Sequence, residues 1–290
     1  MLCVERPAGS GPARNGAPWP AGVRLLGRAD YRRGVKLGWV EALTGTRAIV
    51  TGATSGLGRA MAEALVDAGA QVAITGRGRA RAEAVALELG PAAAGFELDV
   101  RREASVQTCL NQVYERFGGV EVLVNNAGIG MRTVNPSFLS SPQAFWEVSP
   151  GGFRDVIETK ITGVFLAARA IVPRMLEAGG GRIVNISMNT QTMPRRGFVP
   201  YGPAGAGVEA LSRIMAADLA GTTVTVNILL PGGATATGMV PDDVPAEMRT
   251  RLLDPSIMGR PIVWLASNDA NGLNDQRIVA TEFEDWLARR

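Results

Sequence analysis

The sequence contains no histidine and only two cysteines, Cys3 and Cys109. The absence of histidine excludes Ser–His and Cys–His nucleophile pairs and most metal sites. Two cysteines so far apart along the chain do not form a disulfide framework or a zinc site. We therefore expect no bound metal and a cytoplasmic location, where thiols stay reduced, with Cys109 as a small core side chain.

The sequence also lacks an apolar run long enough to cross a bilayer, so we expect no membrane partner. Positive charge is concentrated at one end: residues 1–39 hold seven Lys and Arg against two acidic residues, a local charge of +5. Because the whole chain carries +3, residues 40–290 carry −2. A nearly neutral body offers no basic groove, and we expect no nucleic-acid partner.

Residues 1–39 are rich in Gly, Pro and Arg and show no sustained hydrophobic period. This composition predicts a disordered basic extension that is dispensable for function. Two alternatives stay open, namely a targeting segment and a true start near Val40. We expect residues 40–290 to form the folded part.

Strand-like and helix-like patterns alternate from residue 45 onward. The predicted strands are Ala48–Val50, Gln71–Thr75, Gly95–Asp99, Val120–Asn125, Gly181–Ile186, Thr223–Leu229 and Arg277–Thr281. The predicted helices are Leu57–Asp67, Arg79–Leu89, Glu103–Phe117, Phe153–Glu177 and Tyr201–Leu219, with two shorter ones between Pro245 and Ala266. Mostly apolar strands separated by helices indicate a parallel sheet covered on both faces. We predict a single α/β domain with a doubly wound, mostly seven-stranded parallel sheet of the Rossmann type.

A glycine-rich turn connects the first predicted strand to the first predicted helix. It carries Gly52, Gly56 and Gly58 in the run Thr51–Gly58. Glycines allow backbone N–H groups and a helix N-terminus to approach a diphosphate, which the helix dipole favours. The strand–turn–helix context predicts a dinucleotide site, with an ordinary glycine-rich turn as the alternative.

Arg77 follows the second predicted strand, where an NAD site would place an acidic residue for the ribose 2′-hydroxyl. A guanidinium can instead hold a 2′-phosphate. The sequence therefore favours NADP(H), with NAD(H) possible. The alternative is a solvated arginine at a helix start, since Arg79 and Arg81 are close by.

The chain resembles the short-chain dehydrogenase/reductase family over residues 43–283. The motifs that carry the resemblance are Thr51–Gly58, Leu98-Asp99-Val100, Asn125-Asn126-Ala127-Gly128, Gly181–Ser187, Tyr201 and Pro231-Gly232-Gly233. The resemblance implies hydride transfer between nicotinamide and a carbonyl or secondary alcohol. It also implies that Asp99 and Val100 border the adenine, and that Pro231-Gly232 with Thr235 or Thr237 contacts the carboxamide. The residues expected to contact the cofactor are Gly52, Thr54, Ser55, Gly56, Leu57, Gly58, Arg77, Asp99, Val100, Asn126, Ala127, Gly128, Tyr201, Pro231, Gly232, Thr235 and Thr237.

Tyr201 occupies the position of the family's acid/base, with a core or rim aromatic as the alternative. Ser187 is the candidate for the serine that bonds the substrate oxygen. In much of the family the serine lies one residue closer to the tyrosine, at the position that Met188 occupies in this chain. Thr190 and Thr192 are the alternative candidates for this role. In that case Ser187 has no catalytic role and only ends a buried strand.

Two further catalytic positions depart from the family. Gly205 stands where the family has its lysine, and Lys160 stands where it usually has asparagine. One hypothesis is that Lys160 is a catalytic residue whose ammonium enters the space left at Gly205 and favours the ionised phenol of Tyr201. The alternative is that Lys160 points to solvent and the enzyme is slow or inactive.

These features predict an NADP(H)-dependent oxidoreductase that acts on a small-molecule carbonyl or alcohol. The alternative is a cofactor-binding protein with little or no turnover, a sensor or an assembly partner, because the lysine is missing. By resemblance, helices Phe153–Glu177 and Tyr201–Leu219 pair subunits in a homodimer or homotetramer. The segment Gly238–Pro255 resembles the family's mobile lid.

Overall fold

The computed structural model describes residues 42–290, so the predicted extension 1–39 lies outside the described residues. A seven-stranded sheet in which every pairing is parallel forms the centre, with strand order β3-β2-β1-β4-β5-β6-β7. The strands are β1 (Arg47–Val50), β2 (Gln71–Gly76), β3 (Ala93–Glu97), β4 (Val122–Asn125), β5 (Gly181–Ile186), β6 (Val224–Leu230) and β7 (Arg277–Val279). This arrangement confirms the predicted Rossmann-type fold in a single domain.

Helices cover both faces of the sheet. They are α1 (Gly56–Asp67), α2 (Arg79–Leu89), α3 (Glu103–Phe117), α4 (Pro150–Ile157), α5 (Gly163–Glu177), α6 (Tyr201–Asp218), α7 (Ala246–Arg249), α8 (Gly259–Ala266) and α9 (Phe283–Ala288). Within residues 42–290, no helix combines the length and the apolar character that crossing a bilayer requires.

Two hydrophobic cores lie on opposite sides of the sheet because neighbouring residues of a strand point to opposite faces. In β1, Ala48 and Val50 join the core beneath α1 and α8, whereas Ile49 joins the core beneath α3 and α5. Strands buried on both faces account for the nearly continuous apolar runs in the sequence. The order of the strands reverses between β1 and β4, which opens a crevice at their carboxyl ends.

Three strands differ from the sequence prediction by two residues at one end or both, and some other strands and helices differ by one residue. Strand β3 ends at Glu97 rather than Asp99, because the Asp99 carboxylate turns to accept hydrogen bonds from Arg101 beyond the strand. Strand β4 begins at Val122 rather than Val120, since Glu121 is held at the strand entrance by Arg47. The strand predicted over Arg277–Thr281 stops at Val279, after which the chain turns into helix α9.

The long helix predicted over Phe153–Glu177 is interrupted. It begins at Pro150, where the Ser149 hydroxyl accepts a hydrogen bond of 3.1 Å from the Gly152 amide. A π-helical turn, Glu158–Thr162, then separates α4 from α5. Such a turn holds one extra residue, so it changes the direction in which its side chains point.

Candidate active site

A cleft of about 420 Å³ opens at the carboxyl ends of β1 and β4. Its walls come from the glycine-rich turn, the ends of β2 and β3, the segment after β4, and the segment Thr237–Met239. Most of the predicted cofactor residues line this cleft: Gly52, Thr54, Ser55, Gly56, Leu57, Arg77, Asp99, Val100, Asn126, Ala127, Gly128 and Thr237. The cleft thus lies where the fold places a ligand.

The glycine-rich turn leaves no room for side chains. Gly52 has a φ of 65°, and a Cβ there would lie 2.9 Å from the Ala127 Cα. A Cβ on Gly58 would collide with the Asn126 amide nitrogen and the Gly52 carbonyl oxygen. Bare backbone at the N-terminus of α1 therefore faces the cleft, which fits a bound diphosphate.

Hydrogen bonds fasten this turn to the end of β4. The Asn126 side-chain amide donates to the carbonyl oxygens of Thr51 and Gly52 at 3.0 and 3.1 Å. The Thr51 hydroxyl accepts from the amides of Asn126 and Ala127, each at 2.9 Å. Thr51 was not among the predicted site residues, although its place just before Gly52 is a signal that could have identified it.

One end of the cleft carries arginines. Arg77 and Arg81 line it, and within residues 42–290 neither side chain has an ion pair or a hydrogen bond. A Cβ on Gly76 would lie 2.8 Å from the Thr54 methyl, so the end of β2 has little space for the acidic side chain of an NAD site. This end of the cleft is therefore positive and open.

Asp99 lies beside these arginines and is held by Arg101. The Arg101 guanidinium donates to both carboxylate oxygens, at 2.9 and 2.8 Å. These hydrogen bonds lower the pKa of Asp99, and the positive charge of Arg77 adds to the effect. Asp99 is consequently ionised at neutral pH and fixed in orientation at the cleft wall.

Tyr201 does not line the cleft itself; it begins α6 with its hydroxyl 4.0 Å from the sulfur of Met239, which does line it. Lys160 lies in the π-helical turn, is only 8% exposed, and places its Nζ over the Tyr201 ring, 4.9 Å from the ring centroid. The structure thus brings these two predicted catalytic residues into contact, and Lys160 does not point to solvent.

Ser187 has a different set of contacts. Its hydroxyl donates a 2.7 Å hydrogen bond to Glu209, which forms an ion pair with Arg277 at 3.0 Å. Arg277 also donates to the Met188 carbonyl oxygen at 3.0 Å. Sequence reasoning missed this group, although a glutamate within the apolar run of α6 signals a buried partner.

Met188 and Gly205 fit one another. Met188 is buried, and a Cβ on Gly205 would lie 2.6 Å from the Met188 sulfur. The Met193 methyl lies 3.8 Å from the same point. Methionine side chains therefore fill the space that a side chain at position 205 would enter.

The predicted carboxamide contacts divide into two groups. Gly232 has a φ of 94°, and its carbonyl oxygen accepts a 2.9 Å hydrogen bond from Asn189, a residue that was not predicted. Thr235 is buried and pairs with Leu253, whereas Thr237 lines the cleft against Gly56. Of the two threonines, Thr237 is the one placed to meet a ligand.

The segment Thr237–Asp242, here called the lid, includes the start of the predicted lid Gly238–Pro255, and its residues Thr237, Gly238 and Met239 line the cleft. Arg132 fastens it by donating to the carbonyl oxygens of Gly238 and Val240 at 3.1 and 3.0 Å. The same guanidinium pairs with Asp242 at 2.6 Å. Met239 is thereby held over the cleft, next to Gly130 and Tyr201.

The strand order and the glycine cradle define a dinucleotide-binding protein of the Rossmann type. Within that class, the chain belongs to the short-chain dehydrogenase family, whose sequence model (short chain dehydrogenase) matches residues 46–247. The chain is accordingly an NAD(P)-dependent oxidoreductase.

Relatives agree with this assignment. The 3-oxoacyl-(acyl-carrier-protein) reductase FabG of Vibrio cholerae is 34% identical over 238 residues, covering 79% of this chain and 92% of the relative. FabG of Aquifex aeolicus is 37% identical over 194 residues, covering 66% and 74%. A crystal structure of 3-ketoacyl-(acyl-carrier-protein) reductase from Brucella melitensis complexed with NADH superposes with a TM-score of 0.73 at 30% identity. That comparison covers 82% of this chain and 97% of the other.

Proposed function

We propose that the protein is an NADP(H)-dependent oxidoreductase that interconverts a carbonyl compound and its secondary alcohol. The observation that carries the cofactor preference is the pair Arg77 and Arg81, which line the cleft beyond β2 and, among residues 42–290, make no ion pair or hydrogen bond. Guanidinium groups at this place suit a 2′-phosphate. A ribose 2′-hydroxyl would need an acceptor there. Gly76 has no side chain to provide one, and the Asp99 carboxylate already accepts hydrogen bonds from Arg101.

Tyr201 is the proposed proton donor. Bound nicotinamide supplies or accepts the hydride. In the reducing direction the phenol gives its proton to the carbonyl oxygen as the C–H bond forms, and the phenolate regains a proton from solvent. Ser187 gives its hydrogen to Glu209, so in this arrangement it can accept a bond from an alcohol but cannot donate one to a carbonyl.

The substrate class follows from the chemistry around Tyr201. Met239 lies beside the Tyr201 hydroxyl and Met193 lies near Gly205 on the same helix, and these apolar side chains suit a carbonyl on an apolar chain. The reductases among the relatives act on 3-oxoacyl groups by name. A 3-oxoacyl thioester is therefore the first substrate to test.

A homodimer or homotetramer in the cytoplasm completes the proposal. Phe153 on α4, Phe165 on α5 and Ile214 on α6 are exposed apolar side chains on the helices predicted to pair subunits. Their exposure supports pairing through these helices, and light scattering of the purified protein measures the oligomeric state.

A fluorescence titration with NADPH and NADH, followed by a carbonyl panel that includes a 3-oxoacyl thioester, tests the function. We expect tighter binding of NADPH and oxidation of NADPH by at least one carbonyl. Binding without turnover on the panel would instead indicate a cofactor-binding protein with little or no turnover. Equal affinity for both nucleotides would overturn the NADP(H) preference.

A further inference from the structure

We propose that Lys160 is the catalytic cation of this enzyme, acting on the Tyr201 phenol in place of the lysine that is missing at Gly205. This inference rests on the proposed function, because it assigns a role to Tyr201 as acid/base. It assigns the role to Lys160 of the π-helical turn, and it gives a physical reason why position 205 carries no lysine.

Lys160 is unusual in this chain by residue type. Of the 30 Lys and Arg residues, only Lys36 and Lys160 are lysines, so Lys160 is the single lysine within residues 42–290. A lysine differs from an arginine in carrying a compact point charge on a flexible stem. The Lys160 Cγ and Nζ both lie 3.5 Å from the position of a Cβ on Gly128. A slot between a glycine and the Tyr201 ring accepts such a side chain.

The charge of Lys160 is buried without an acidic partner. Among residues 42–290 it has no ion pair or hydrogen bond, and its one charge contact is the face of the Tyr201 ring. A buried charge without a counter-ion is costly, and a ring face repays only part of that cost. An anion that forms on the Tyr201 oxygen during the reaction would supply the missing partner, which makes this cation more effective in the transition state than before it.

The other charged side chains on the elements packed around Tyr201 are paired, exposed or held over another ring. Glu209, two turns further along α6, pairs with Arg277 of β7. On the lid side, Arg132 pairs with Asp242. Glu158 in the π-helical turn is exposed, and Arg195 in the loop before α6 lies over the Phe198 ring at 5.0 Å. Lys160 is therefore the cation that these packed elements leave for the phenol.

The family position of the lysine is occupied by other atoms. The Met188 sulfur fills the space beside Gly205, and Met188 itself stands where much of the family has its serine. A long side chain at 205 could enter only if Met188 moved away. The two replacements therefore fit one another, and the cation comes from a different element, the π-helical turn that carries Lys160.

Titration of the Tyr201 phenol tests the proposal without cofactor or turnover. The chain has three tyrosines, so selective ¹³Cζ-tyrosine labelling gives three signals, and Tyr201→Phe assigns the relevant one. We expect Lys160→Met to move the titration midpoint of Tyr201 to higher pH and Lys160→Arg to stay closer to the wild type. Glu158→Gln, an exposed change on the same turn, is the control and should not raise the midpoint.

Kinetics give the second readout. We expect Lys160→Met to lower kcat by about tenfold or more and to shift the pH–rate profile for alcohol oxidation to higher pH. In the Lys160→Met background, the double change Met188→Ser with Gly205→Lys should restore activity, whereas Gly205→Lys alone should not.

Two outcomes separate this inference from the proposed function. An unchanged Tyr201 titration in Lys160→Met, with circular dichroism confirming the fold, overturns the role of Lys160 even if the enzyme turns over. Absence of NADPH binding or turnover in the wild type overturns the proposed function, while the tyrosine titration still decides whether Lys160 acts on the phenol.

Discussion

The cofactor-binding end of the site keeps the residue types of the family, whereas the region around Tyr201 departs from them. At the cofactor end, the glycine cradle, Asn126 and the arginines beyond β2 form a consistent nucleotide site. At the reacting end, Tyr201 is accompanied by Lys160, Met188 and Gly205, three residue types that depart from the family pattern. Holding a nucleotide depends on backbone that cannot be altered without collision, whereas assisting a phenol needs only a charge nearby, which another part of the chain can supply.

The largest expected effect separates the two ends completely. Tyr201→Phe should lower kcat by roughly 10²- to 10⁴-fold, the range for a positioned general acid, because the proton donor is removed. The affinity for NADPH should change little, since the aromatic ring is retained. Steady-state kinetics and a fluorescence titration on the same preparation measure both, and a residual kcat near the wild type would exclude Tyr201 as the acid.

The next largest expected effect is a loss of NADPH affinity at the cofactor end. Gly58→Val should weaken NADPH binding roughly 10- to 100-fold, since overpacking of this size costs about 1–3 kcal/mol. Its Cβ would meet Asn126 and the Gly52 carbonyl. Gly78→Ala is the matched control, because a Cβ there meets nothing within 4 Å. Calorimetric titration of both variants checks the prediction, and equal losses would contradict the cradle.

A smaller effect concerns the choice between the two nucleotides. Arg77→Ala should reduce affinity for NADPH about tenfold, the value of one charge-assisted hydrogen bond, and leave affinity for NADH nearly constant. Arg79→Ala provides the comparison, since Arg79 pairs with Glu83 at 2.8 Å on the exposed face of α2. If both substitutions weakened NADPH alike, the specific role of Arg77 would be wrong.

The smallest effect is a dependence of stability on pH at the cofactor end. Because hydrogen bonds from Arg101 lower the pKa of Asp99, their contribution is present above the ordinary carboxyl range and disappears as the pH falls through the lowered value. Arg101→Ala should therefore cost at most about 1 kcal/mol of unfolding free energy at pH 7, as for a solvent-accessible pair. In acid the variant and the wild type should converge, which urea titrations at pH 7 and pH 2.5 measure.

The sequence was most informative where local pattern determines structure. The alternation of apolar strands and helices predicted the sheet, and the glycine spacing predicted the turn at Gly52 and Gly58. Contacts between distant residues were not predictable in the same way. Ser187 bonds to Glu209, and Glu209 in turn pairs with Arg277, which lies 68 residues after Glu209 in the chain.

Two other features depended on three-dimensional context. That Thr237 rather than Thr235 lines the cleft goes with the pairing of Thr235 with Leu253, which no local spacing reveals. Similarly, the π-helical turn that carries Lys160 lies within an uninterrupted helical pattern and gave no periodic signal. Sequence patterns in this protein therefore predict the elements, but they do not predict shifts of one residue within an element or a loop.

The fastening made by Arg132 has a kinetic consequence. For a nucleotide to leave past the lid, the bonds from the Arg132 guanidinium to the Gly238 and Val240 carbonyl oxygens and to Asp242 must break, so release of the cofactor can limit kcat. Asp242 is largely exposed, and dissolved ions weaken such a link. Moderate salt is thus expected to raise the rate of nucleotide exchange slightly, because it weakens only the Asp242 pair.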